Sequence, residues 1–306
     1  MRKLDLKDKK ILAELVLNSR IPINQLAKKV GISREVATYR INKLVKDKII
    51  LSFYSVIEES TLGFSRYTCF FKLKGISESK EKEFIDYLIK HDFVTYLGPV
   101  IGKWNLVFDL LAKDRKHLED LLKSIESKIS NYLDSYIVMT TSSEQEMFPT
   151  KMLGINKQLE HKTLKKIKLD KVDLKILEMI SGNSRIEYKE LAGKLKLTGN
   201  AIKYRIKNLE NSGVIQGYTI SINMRKLGYE WYNIQLKILN RKKENEVRQF
   251  LKQNSNVIYY YSYVGNENWD LDVGIIVKDS LGLRDFILKL MEKFGDILKM
   301  YDSYVI

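Results

Sequence analysis

The chain holds one cysteine and three histidines in 306 residues. With Cys69 alone no intramolecular disulfide can form, and its place in the apolar run Tyr67-Thr68-Cys69-Phe70-Phe71 reads as a buried structural thiol rather than a nucleophile. His91, His117 and His161 have no helical or cysteine partners at metal-ligand spacing, so no zinc site and no cofactor are expected. There is no Gly-x-Ser-x-Gly elbow, and Gly102-Lys103 lacks the glycine loop and the following Ser or Thr of a phosphate-binding loop. The expectation is a protein that is not an enzyme. No stretch approaches 18 uninterrupted apolar residues, and the charged N-terminus has no apolar signal region, so a soluble, reducing, cytoplasmic setting and no membrane partner are expected.

What the chain has in excess is positive charge, net +15 with 44% apolar residues, which suits a folded protein with an anionic partner. Residues 1–57 carry 13 basic against 5 acidic side chains and 169–222 carry 9 against 6, while 58–139 carry 12 against 13. Residues 140–168 add 6 against 3, and 223–306 have 13 against 11. Basic segments borne on near-neutral ones are the footprint of nucleic-acid-binding modules. A lysine-rich surface serving solubility alone would spread the charge evenly.

The chain also repeats itself 165 residues apart. Asn18-Ser19-Arg20-Ile21 returns as Asn183-Ser184-Arg185-Ile186, Tyr39-Arg40-Ile41 as Tyr204-Arg205-Ile206, and Leu62-Gly63-Phe64 as Leu227-Gly228-Tyr229. So long a period means duplicated domains rather than a solenoid.

Each copy opens with three short helical patterns. Ile11, Leu12, Leu15 and Val16 share one helical face; Ile23 to Val30 forms a second helix stopped by Gly31; and Ser33 caps a third whose Ala37, Ile41 and Leu44 face inward. The second copy has Thr198 at the cap and Ile202, Ile206 and Leu209 inside. A helix, a tight turn and a capped basic helix make a helix-turn-helix, with Ile49 to Ile57 and Val214 to Ile222 as wing or linking strands. The rest of each copy alternates strand and helix as βαββαβ, the ferredoxin-like order, in which two helices cover one face of an antiparallel sheet. Both faces of the first sheet look largely apolar, so the open face is expected to pair with the other copy in the same chain.

The fold class is therefore α+β: two tandem copies of a winged helix-turn-helix domain followed by a ferredoxin-like domain. The expected boundaries are 1–57, 58–139, a linker at 140–168 containing Thr140-Thr141-Ser142-Ser143 and Pro149, 169–222, and 223–306.

At Leu26-Ala27, Gly31-Ile32-Ser33, Tyr39-Arg40-Ile41 and Leu44 the first copy resembles the Lrp/AsnC family of transcriptional regulators. The second resembles it through Leu191-Ala192, Arg205-Ile206, Leu209-Glu210, Gly213-Val214-Ile215-Gln216-Gly217-Tyr218 and Leu227-Gly228. The resemblance implies double-stranded DNA as partner of the helical modules, and association plus small-molecule sensing by the sheet domains. A typical member has one copy and dimerises, so two copies imply a covalent pseudo-dimer. The family's effector loop carries a Gly-x-x-Asp pattern, which puts an amino-acid or related ligand near Gly102 and Asn105 in the first copy and Gly265 and Asp270 in the second. In both copies the pattern is altered, and a turn glycine followed by a core tryptophan accounts for the same residues. Two other readings are an architectural DNA binder without a ligand and an Lrp-like enzyme resembling the sirohaem decarboxylases, whose expected histidine and arginine pocket is not visible.

With the inner helix face fixed, the outward positions of the first reader are Ser33, Arg34, Glu35, Thr38 and Tyr39, with Lys43 and Lys46 towards phosphates. The second reader offers Thr198, Gly199, Asn200, Lys203 and Tyr204, with Lys207 towards the backbone. Ser33 and Thr198 are explained by capping alone; Tyr39 and Tyr204 either reach the groove or pack on the wing. Arg40 and Arg205 either pair internally or contact DNA.

Overall fold

The computed structural model describes residues 4–155, 162–264 and 268–306. The first copy runs α1 (Leu6–Leu17), α2 (Ile23–Val30), α3 (Arg34–Lys46), β1 (Ile50–Ile57), β2 (Ser65–Leu73), α4 (Glu78–Ile89), β3 (Val94–Pro99), β4 (Leu106–Ala112), α5 (Arg115–Ile129) and β5 (Leu133–Met147). The second repeats the order as α6 (Lys171–Gly182), α7 (Tyr188–Leu195), α8 (Gly199–Asn211), β6 (Ile215–Ile222), β7 (Glu230–Ile238), α9 (Glu244–Gln253), β8 (Val257–Val264), β9 (Leu271–Val277), α10 (Ser280–Phe294) and β10 (Leu298–Val305). These elements group by kind rather than by copy. Met1–Thr61 and Phe148–Tyr229 form one compact unit, and Leu62–Met147 and Glu230–Ile306 form the other.

In the helical unit β1 pairs antiparallel with β6, Phe53 lying opposite Ile220 and Tyr54 opposite Thr219. The strands read as wings are therefore one ribbon shared by both copies. Each strand packs on the other copy's first helix. Ser55 Oγ of β1 donates to the Ile180 carbonyl of α6 at 2.8 Å, while Ile220 of β6 joins the core built by Ile11, Leu12, Leu15, Leu26 and Leu44. At the centre of this exchange the repeated Asn-Ser-Arg-Ile turns meet. The Ser19 and Ser184 hydroxyls lie 2.6 Å apart and fully buried. The Ser19 N–H donates to the Tyr218 carbonyl and the Ser184 N–H to the Phe53 carbonyl, each at 2.9 Å. Residues 165 positions apart swap roles in these bonds, which makes the unit two-fold pseudo-symmetric.

The segment expected as a linker is mostly built into the fold. β5 continues eight residues past the expected strand end at Met139, because β8 pairs with Thr140 and Thr141 and again with Gln145 to Met147. Phe148, Thr150 and Leu153 are buried around a 3-10 turn at Lys151–Leu153, and Met152, Leu153 and Ile155 pack on the first helical core. Residues 156–161 lie outside the described residues. Beyond them Lys162 and Lys165 bond to the turn between α8 and β6.

The other unit is one eight-stranded antiparallel sheet, β10-β7-β9-β8-β5-β2-β4-β3, in which the equivalent four-strand sets of the two copies are joined where β5 pairs with β8. The register Cys69↔Phe108 puts Cys69, Phe71, Phe108 and Leu110 on the face covered by Phe84 and Leu88 of α4 and Leu121 and Ile125 of α5. Burial pushes the Cys69 thiol pKa up, so it remains an inert part of that core. The open faces meet each other: Phe70, Val100, Trp104, Val107 and Met139 of the first copy pack with Tyr263, Trp269 and Tyr304 of the second. Two strand contacts at equivalent positions seal the edges, Thr140↔Val264 between β5 and β8 and Ile101↔Val305 at the end of β10.

The two meeting faces differ in polarity. Where the first copy has Thr68, Phe70 and Val107, the second buries Asn233, Gln235 and Asp272. Asp272 Oδ2 accepts the Tyr263 hydroxyl at 2.9 Å and the Tyr304 hydroxyl at 3.2 Å, and Oδ1 accepts Asn233 Nδ2 at 2.6 Å. Burial raises its pKa from 3.8 to about 7 against the pull of these donors.

Two outcomes follow for stability. Ser19→Ala strands the buried Ser184 hydroxyl and is expected to cost about 1–3 kcal/mol, whereas adding Ser184→Ala costs less than the sum, read by denaturant unfolding of both variants. Because Asp272 has a folded pKa above its unfolded one, the folded protein binds one proton more between roughly pH 4 and 7. Its contribution to stability is present in full below pH 4, falls as pH rises towards 7 and is level above. Melting temperatures across that window should drop less in Asp272→Asn than in the parent chain.

Candidate nucleic-acid interface

The two third helices start alike. Ser33 Oγ accepts the Val36 N–H at 3.3 Å and Thr198 Oγ1 accepts the Ala201 N–H at 3.2 Å, so each hydroxyl satisfies a free amide of the first turn. Ala37, Ile41 and Leu44 are buried beneath α3, and Ile202, Ile206 and Leu209 beneath α8. With those stripes inward, Arg34, Glu35, Thr38, Tyr39, Lys43 and Lys46 are exposed on α3, as are Asn200, Lys203, Tyr204 and Lys207 on α8. All of the expected recognition positions except Gly199 thus share the solvent side of their helix. Gly199, opening α8, is half-buried.

The geometry separates alternatives the sequence left open. Tyr39 and Tyr204 are 65% and 68% exposed, so neither packs on a strand. An exposed tyrosine at the same place in both copies has both a ring and a hydroxyl free for a groove or a phosphate. Arg40 and Arg205, by contrast, pair internally. Arg40 Nη1 lies 2.7 Å from Asp5 Oδ2 and 2.9 Å from Asp8 Oδ1, and Arg205 Nη1 lies 2.8 Å from both Asp170 Oδ2 and Asp173 Oδ1. These hydrogen bonds raise both guanidinium pKa values, while amides at the start of α1 and α6, and after them the arginines, lower the pKa values of Asp5 and Asp170. Each arginine therefore fixes its recognition helix to the first helix of its own copy. Thr38 donates its hydroxyl to the Arg34 carbonyl at 2.9 Å, which leaves its methyl and an acceptor lone pair outward. Its own backbone amide, and then the Ser33 hydroxyl, hold the Glu35 carboxyl below its ordinary pKa, so it stands as an anion at the positive helix end.

Several contributors gave little sign in the sequence. Arg20 Nη1 donates to the Ser184 carbonyl at 2.6 Å and its guanidinium lies over Tyr188 and Tyr218, 4.9 and 5.3 Å from the ring centres. Arg185 lies over Phe53 at 5.3 Å, and burial lowers its pKa. The repeat of Ser-Arg was visible; that its two copies meet each other was not. Lys162 Nζ donates to the Ile215 carbonyl at 2.9 Å while its N–H donates to Gln216 Oε1 at 2.8 Å, strapping the turn after α8. Nothing in the spacing of that lysine cluster marks the strap.

The effector positions are occupied by structural bonds. Asn105 Oδ1 accepts the Leu73 N–H at 2.6 Å. At the matching place Asp270 Oδ2 accepts the Ile238 N–H at 2.8 Å, and Oδ1 takes Lys237 and Arg241 at 3.2 and 3.0 Å. Gly102 has φ +152° with the Ser303 carbonyl 3.1 Å from where a Cβ would stand, so β10 lies against it. Gly265 lies outside the described residues. Trp104 and Trp269 are both buried.

Among the described residues no helix is long and apolar enough to cross a membrane. A family model for winged helix-turn-helix DNA binding matches residues 4–50 and 169–216, one match on each helical module. An HTH-type transcriptional regulator of Pyrococcus furiosus is 36% identical over 112 residues, 37% of this chain and 73% of the relative. The regulator LrpA of Pyrococcus horikoshii is 32% identical over 138 residues, 45% of this chain and 96% of the relative. One solved structure, the sirohaem decarboxylase NirDL, matches 98% of this chain and 90% of its own with a TM-score of 0.67 at 17% identity, which shows a shared tandem fold. With relatives of single-copy length and this duplicated helix-turn-helix and sheet architecture, the chain belongs to the Lrp/AsnC family of transcriptional regulators.

Proposed function

We propose that this chain is a sequence-specific DNA-binding transcription regulator in which one polypeptide supplies both readers that a single-copy relative supplies from two chains. The observation that supports it most is the pseudo-symmetric pair α3 and α8, each capped, each locked by an arginine to its own copy, and each presenting polar and basic side chains outward. A paired arrangement suits two successive major grooves of one duplex face, with half-sites centred roughly 34 Å apart. Response to a small molecule enters this reading through the family alone, since Asn105 Oδ1 and Asp270 Oδ2 each accept a backbone amide.

The likeness to NirDL over nearly the whole chain favours a second reading, an enzyme acting on a tetrapyrrole. The two described histidines have other tasks: His91 Nδ1 accepts the Phe93 N–H and His117 Nδ1 accepts the Lys113 N–H, each at 3.2 Å. Titration of the protein with an iron porphyrin separates the readings. A regulator leaves the porphyrin absorbance unchanged, and a saturable band shift favours the enzyme.

Affinity for genomic fragments and for random duplexes, measured over increasing salt, tests the regulator directly. The expected result is a steep negative salt slope for both and a specificity ratio of about a thousand or more; an architectural binder shows the slope without the ratio. Lys43→Met should reduce the slope by about one contact. Arg40→Met should leave the slope unchanged while lowering the melting temperature, because that guanidinium is held by Asp5 and Asp8.

A further inference from the structure

Comparison of the two readers position by position shows where the copies have diverged. Beneath the helices the pairs are Ala37 and Ile202, Arg40 and Arg205, Ile41 and Ile206, and Leu44 and Leu209, all apolar or identical. On the outward side five pairs differ in chemistry. Arg34 stands against Gly199, Glu35 against Asn200, Thr38 against Lys203, Asn42 against Lys207, and Lys43 against Asn208, while Tyr39 and Tyr204 and the capping Ser33 and Thr198 agree. The bonds that set the geometry of the pair are kept at the same time: both caps, both arginine clamps and both serine amide bonds to the partner strand. Within the two third helices the inward stripe is kept while most outward side chains differ, which changes what is read without changing how it is held.

We infer that the chain recognises a non-palindromic operator in one fixed orientation, with α3 reading a half-site of different sequence from the half-site read by α8. This rests on the DNA-binding reading above. The chemistry of each reader gives its half-site a character. Arg34 has the fork of donors that matches guanine O6 and N7, and the Thr38 methyl suits a thymine methyl. Glu35 beside them accepts from a cytosine amino group and repels a phosphate, which restricts that half-site further. On α8, Asn200 matches the N6 and N7 edge of adenine and Lys203 donates to guanine, while Gly199 carries no side chain and leaves its base pair unread. The shared tyrosines add affinity to both halves without distinguishing them. A base contact of these kinds discriminates by roughly 5- to 150-fold, so two or three unlike contacts per half-site are enough to fix the orientation.

Selection of duplexes from a random library by the full chain tests this. The expected consensus has two unlike halves with centres about 10 base pairs apart, and inverting one half of the selected site lowers affinity by tenfold or more. A reader exchange in the full chain, Gly199→Arg with Asn200→Glu and Lys203→Thr, alters only outward positions of α8 and should turn the selected consensus towards a palindrome of the first half-site. A palindromic consensus from the parent chain overturns the inference, as does a consensus with a single half-site or one that the exchange leaves unchanged. Absence of any duplex selected above random instead counts against the DNA-binding reading itself.

Discussion

The buried seam between the two helical modules is the constraint on which the rest depends. At its centre two serine hydroxyls share one hydrogen bond, and each serine amide reaches across to the strand of the other copy. A bond of this kind is modest in net strength, yet it is costly to leave half-made in a dry interior. Because β1 lies on α6 and β6 lies on α1, neither module can complete its core without the other. The relation between α3 and α8 is thereby set by packing and not by a flexible tether. The arginine clamps then carry that relation outward to the recognition helices.

The sheet unit solves a second pairing problem in a different way. Its two open faces are complementary rather than alike, with Phe70, Val107 and Met139 on one side and Tyr263, Tyr304 and Asp272 on the other. A buried carboxyl is tolerable there because three donors converge on it. Two unlike copies in one chain let the meeting sheet faces differ, which a dimer of identical chains cannot do.

Much of this was legible in the sequence because the signals are local. The caps at Ser33 and Thr198, the glycine stop at Gly31, the inward stripe of Ile41 and Leu44 and the βαββαβ alternation each depend on a few neighbouring residues. What was hidden involves partners far apart in the chain. The strands read as wings pair with each other across 165 residues, and the Thr-Ser run read as a linker is the continuation of β5. Arg40 follows the buried stripe in either of its roles, and only the positions of Asp5 and Asp8 decide between them. Asp272 was invisible for the same reason: an acid in an alternating strand reads as solvent-facing until a second sheet covers it.

One chain doing the work of two is a claim about stoichiometry. The mass of the complex between the protein and a selected operator duplex, measured together with its footprint, tests it most directly. One chain per duplex, protecting two neighbouring major grooves on one face, is the expected result. Two chains per duplex, each protecting a single groove, would contradict it.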